Sequence, residues 1–163
     1  MTWSWEVATD PRTVHELLCA CDRHTAVPAA PAPVRNPETT RRRVGEGAVH
    51  LLRNQGEPVA TFTLTWSPPF AADPSVFPPA RKPAYLGRLA VHPAWLERGT
   101  LAGVQCLRRA AEVARAGGAD VLRSEANPDL RSVRALLDLF GFVEHAAAQD
   151  SDGRRRVYLQ QVL

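Results

Sequence analysis

Apolar and polar positions change period several times along the chain, and each change marks an element. Residues 2–7 alternate, with Trp3, Trp5 and Val7 on one face and Ser4 and Glu6 on the other, which predicts a strand. Asp10 then stands where an N-cap belongs and Pro11 at the first helical position, and Val14, Leu17, Leu18 and Cys21 share one face of the helix that follows. Prolines break the chain between residues 27 and 37, after which residues 37–44 predict a short helix ended near Gly45 and Gly47. Residues 48–53 and 59–67 predict an antiparallel hairpin about the turn-rich link 54–58. Leu86, Leu89, Ala90 and Val91 form a further strand, stopped at His92 and Pro93 because proline cannot donate to a ladder.

Helical spacing resumes with Gly103, Val104, Leu107, Ala110, Ala111 and Ala114, while Gln105, Arg108, Arg109, Glu112 and Arg115 fall opposite them; Gly117 and Gly118 end the helix. Residues 119–126 predict a strand. Asn127 as N-cap, Pro128 next and Asp129 in the first turn open another helix, with an apolar stripe of Leu130, Val133, Leu136, Leu137 and Phe140 and a stop at Gly141. Residues 142–148 and 154–163 flank a polar turn and predict a closing hairpin, with Val157 and Leu159 on one face. This order predicts one α/β (α+β) domain spanning residues 1–163: a mixed, largely antiparallel central sheet with helices on both faces. Residues 68–83 are too rich in proline for a helix or a central strand, and read either as a lid or as a mobile insertion.

Composition narrows the function classes. A length of 163 residues, with 45% apolar and 23% charged, suits one globular domain, and no apolar run approaches membrane-spanning length. The N-terminus lacks the basic start and apolar stretch of a signal peptide, and Cys19, Cys21 and Cys106 form no disulfide framework, so a cytoplasmic location is expected. A net charge of +3 is too mild to argue for nucleic acid, and the triplets Arg41 to Arg43 and Arg154 to Arg156 read as solvated faces. His15, Glu16 and Cys19 touch the His-Glu-x-x-His zinc pattern without its second histidine, so no metal is expected.

The stretch from Arg98 to Gly103 carries the chemistry. It puts small residues at a helix start, where the first amide N–H groups have no partner inside the helix and an anion can approach the backbone. Together with the strand ending Val91-x-Pro93, it resembles the signature segment of the GNAT superfamily of acyl-CoA-dependent N-acyltransferases, keeping Arg98, Gly99 and Gly103 but placing Leu101 where a middle glycine is usual. Asn127, the helix after it and Gly141-Phe142 resemble the family's second cofactor-side segment; where many members carry a tyrosine four residues before that glycine, this chain has Leu137.

The resemblance implies an N-acyltransferase with acetyl-CoA as default donor. It implies a pyrophosphate on the backbone of Arg98, Gly99, Thr100, Leu101, Ala102 and Gly103, pantetheine along Leu89, Ala90 and Val91, and a cofactor-side role for Asn127. The candidates for the general base are Glu125, Tyr85 and His92. The implied partner is a small-molecule or peptide amine, with neither nucleic acid nor membrane, and a homodimer is compatible with it. The alternative is a non-catalytic acyl-CoA-binding module of the same fold, motivated by Leu137 and Leu101.

Overall fold

The computed structural model describes residues 2–99, 101–150 and 153–163. One seven-stranded sheet runs through it, built from β1 (Trp3–Val7), β2 (Val49–Asn54), β3 (Glu57–Thr65), β4 (Pro83–Val91), β5 (Val121–Ala126), β6 (Val143–Gln149) and β7 (Arg155–Val162). The spatial order is β1-β2-β3-β4-β5-β7-β6, and every neighbouring pair is antiparallel except β4 with β5. The mixed sheet expected from the hydrophobic pattern is therefore present. Its last hairpin is folded back so that β7 lies inside and β6 forms the edge.

The helices are α1 (Pro11–Thr25), α2 (Pro37–Gly45), α3 (Pro93–Glu97), α4 (Ala102–Ala116) and α5 (Arg131–Leu139). Alternation along the strands divides them between two faces. Leu51 and Ala90 join Val14, Leu17, Leu18 and Val44 under α1 and α2, whereas their chain neighbours Leu52 and Val91 join Cys106, Leu107, Ala110 and Leu137 under α4 and α5. Asp10 caps α1 by accepting from the Arg12 amide at 3.0 Å, and Asn36 caps α2 by accepting from Glu38 at 2.9 Å, both directly before a proline at N1.

One expectation needs correction, and one element lies outside the pattern read from the sequence. The helix predicted to open at Asn127 starts at Arg131, because Asn127 is used in a turn: its Oδ1 accepts from the Asp129 amide at 2.9 Å and its carbonyl from Leu130 at 3.1 Å. The link between β4 and α4 is not bare connection but contains α3, whose buried Trp95 packs edge-on against Trp3 at 6.0 Å.

The 68–83 segment is tied to the body at both ends. Phe70 and the buried Phe77 pack with Tyr85 and Tyr158, with ring centroids 5.4 to 6.2 Å apart. Asp73 caps a single 3-10 turn at Pro74–Val76, and Asp120 accepts from the amides of Arg81 and Lys82 at 2.7 and 2.9 Å.

Candidate functional site

The parallel pairing of β4 with β5 runs only from Pro83↔Val121 to Leu86↔Ser124. Beyond it, Gly87, Ala90 and Val91 pair with β3 alone, and Glu125 and Ala126 with β7 alone. The two central strands therefore part, leaving one edge of β4 without a strand partner. The cause is local. Arg88 adopts φ of 53°, a left-handed value unusual for a side chain with a Cβ, and the β3 register shifts there between Thr61 and Thr63. A bulge at Arg88 turns the end of β4 away from β5.

Leu89, Ala90 and Val91 lie on this bulged end, and the chain then passes through α3 to the start of α4. Arg98 ends α3 with its guanidinium 4.9 Å from the Trp95 ring centre, and Gly99 takes φ of 64°. Thr100 lies outside the described residues. Leu101, 64% exposed, occupies the N-cap position of α4 and makes no side-chain hydrogen bond to the first turn, where amide N–H groups have no partner inside the helix and can face an anion. Ala102 is fully buried. Gly103 has a second reason to be small: a Cβ there would lie 2.9 Å from Leu136 Cδ2, so the residue also sets how closely α5 approaches α4.

The three candidate bases do not gather at one place. His92 caps α3, its Nδ1 accepting from the Ala94 amide at 3.2 Å, and it lines a cavity against α1 with Glu16, Arg23 and Trp95. Tyr85 is buried, and its hydroxyl accepts from Arg123 Nη1 at 3.1 Å. Arg123 also donates to Gln160 at 3.0 Å and to the Pro78 carbonyl at 2.9 Å, so Tyr85 belongs to the polar network that fastens the 68–83 segment. Glu125 alone stands where the strands part. It lines two cavities, one of about 160 Å³ shared with Asp22, Arg35 and Asn127, and one of about 200 Å³ shared with Thr63, Phe70 and Arg88.

The Glu125 carboxylate pairs with Arg156 from β7, which also holds Asp150 through Nη2 at 2.6 Å. Bonds to the Asp150 and Glu125 carboxylates push the Arg156 pKa upward, so this guanidinium stays charged. Arg156 is thus no solvated member of a charge run. Tyr158, opposite Glu125 in the β5–β7 register, is the other functional candidate that sequence reasoning missed; burial and the Glu125 carboxylate raise its phenol pKa. Its only signal in the sequence was alternation along β7. Leu137 is buried in the core under α5, where its side chain has no donor to offer. Among the described residues no group of His, Cys, Asp and Glu is arranged to hold a metal ion.

No family model matches the chain, and no curated protein matches it in sequence. Solved structures do. The NatC complex bound to Gag peptide and CoA contains a chain that superposes with a TM-score of 0.75 at 12% identity, over 100% of this chain and 99% of that one. The ribosomal-protein-S18-alanine N-acetyltransferase of Escherichia coli gives 0.71 at 18% identity, over 99% and 92%. Ard1 of Thermoplasma volcanium gives 0.75 at 12% identity, over 100% and 99%. At these identities the likeness is one of fold. The fold is that of the GNAT N-acetyltransferases, as the segments from Val91 to Gly103 and from Asn127 to Phe142 implied.

Proposed function

We propose that the protein is an acyl-CoA-dependent N-acyltransferase that transfers an acetyl group from acetyl-CoA to a primary amine by direct attack. The observation that carries this reading is the wedge between β4 and β5, which opens beside the N-terminus of α4, where Leu101 supplies no side-chain cap. Backbone amides at the start of α4 suit a pyrophosphate, and the unpaired edge of residues 87–91 suits the amide-bearing pantetheine arm. An N–H of the same edge is available to the tetrahedral oxyanion. Glu125 is the candidate base, since it stands at the mouth of the wedge, where its carboxylate also pairs with Arg156, while Tyr85 and His92 lie away from the wedge.

The acceptor approaches from the side of α2 and the 68–83 segment, so that donor and amine enter from opposite faces. Leu137 offers no proton to the departing sulfur, whose thiolate is a good leaving group and can be protonated by water. The test begins with calorimetric titration of CoA and continues with free-thiol release from acetyl-CoA over a panel of amines. Leu101→Glu supplies the control: position 101 is exposed, so the fold stays intact, while a carboxylate at the start of α4 competes with the cofactor phosphate. CoA affinity is expected to fall about tenfold or more, equivalent to roughly 1.4 kcal/mol. Unchanged affinity in folded Leu101→Glu would remove the cofactor from this turn.

A non-catalytic acyl-CoA binder is the second reading, favoured by the burial of Leu137 at the position where the GNAT resemblance implies a tyrosine. CoA binding without thiol release for any amine supports it.

A further inference from the structure

Resting on the acyltransferase reading above, we propose that the acceptor is a small primary amine that also carries an anionic group, which Arg88 receives while the amine faces Glu125. The two residues line the same cavity, roofed by α2 and the 68–83 segment and floored by β3 and β4. At about 200 Å³ it is below the roughly 300–1,000 Å³ of pockets that enclose drug-sized ligands, and suits a compact head group.

Arg88 is the guanidinium of this region with an incomplete set of partners. Arg35 is held by Asp22, with Nη2 donating to Oδ1 at 3.0 Å, and Arg43 by Glu46 at 3.1 Å. Arg88 donates through Nη2 to the Thr40 hydroxyl at 2.6 Å, and among the described residues no carboxylate lies within ion-pair distance of it. Burial, with the charges of Arg35 and Arg43 adding, lowers its pKa to about 10, so it remains protonated at neutral pH. A half-buried cation with no carboxylate in direct contact among the described residues is unfavourable, the Asp22 charge opposing the shift only from beyond ion-pair distance, and Arg88 bears in addition the strain of a left-handed backbone. An anion in the cavity relieves the first of these, and the planar guanidinium fork matches a carboxylate or a phosphate.

In the reaction the ammonium gives one proton to Glu125, directly or through water. The freed lone pair forms a bond to the thioester carbonyl carbon, and the carbon–sulfur bond breaks with its electron pair going to sulfur. The second nitrogen proton is taken up by the thiolate. The products are an amide, a free thiol and one proton released to solvent.

Four acceptors test the proposal in pairs: glycine against glycinamide, and aminoethyl phosphate against ethanolamine, with thiol release followed in each. The charged member of at least one pair is expected to react with a kcat/KM about 10- to 100-fold above its neutral counterpart, the range for a charge-assisted bond. The better pair then separates carboxylate from phosphate. In Arg88→Asn, a residue that tolerates a left-handed backbone, the ratio is expected to fall to near one. Should that variant not fold, Arg88→Lys keeps the charge and loses the fork, and the ratio should drop severalfold. Thiol release with equal rates for charged and neutral members overturns this inference alone. Absence of thiol release with every amine overturns the acyltransferase reading, and this inference with it.

Discussion

Gly117 shows how a single residue can be small for a reason invisible in its own neighbourhood. It follows the last turn of α4, where glycine ordinarily supplies a left-handed backbone, yet its φ is −82° and the left-handed value belongs to Gly118. What demands glycine at 117 is Trp66, whose ring atoms would lie 2.3 and 2.5 Å from an added Cβ. Gly117→Ala is expected to cost on the order of 1–3 kcal/mol through overpacking, and to become neutral or stabilising when Trp66→Ala removes the ring. Chemical denaturation of the two single variants and the double variant gives the answer. His50 makes a pH prediction at the same scale. It stacks on Phe62 with centroids 4.8 Å apart, and burial, aided by the Arg109 charge, lowers its pKa. A depressed folded value means that stability is complete above the unfolded value of about 6.5 and is lost as pH falls through the folded one. Melting temperature should decline on going from about pH 7 to pH 5, and His50→Phe should flatten that decline.

Elements that carried their own caps and period were readable, and those held by distant partners were not. Strands β1 to β7 and helices α1, α2 and α4 fall within a few residues of the hydrophobic pattern. The start of α5 was misplaced because Asn127, Pro128 and Asp129 satisfy a cap and a turn equally well, and the ion pair of Asp129 with Arg155 on β7 favours the turn. Asn127→Ala should therefore cost about 0.5–1 kcal/mol, as loss of a local side-chain bond does, while Asn127→Asp retains stability. A loss of acyl transfer in stable Asn127→Asp would assign the side chain to the cofactor or acceptor. The 68–83 segment hangs on Asp120, whose carboxylate accepts from two of its amides, and those bonds lower the Asp120 pKa. That contribution is present above the unfolded value of about 3.9 and fades as pH falls through the lower folded one. Limited proteolysis should cut within 68–83 sooner in Asp120→Asn than in the parent protein, and an unchanged cleavage rate would mean the aromatic contacts suffice.

For the whole molecule, ligand binding should be visible as stability. A ligand that binds the folded state raises the melting temperature by mass action, and CoA at a hundredfold excess over its Kd adds about 2.7 kcal/mol. The shift should be large in the parent protein and much reduced in Leu101→Glu. The sequence by itself determined the order and type of most elements, the expectation of helices on both sheet faces, and the segments that resemble a GNAT cofactor site, because these depend on period, caps and residues adjacent in the chain. Only the tertiary structure decided that β7 lies between β5 and β6, that Arg156 holds Glu125, that Tyr85 and His92 are engaged outside the wedge, and that Arg88 has no carboxylate in direct contact among the described residues. Each of these depends on which residues distant in the chain come to share one strand register or one cavity, and neither periodicity nor spacing carries that information.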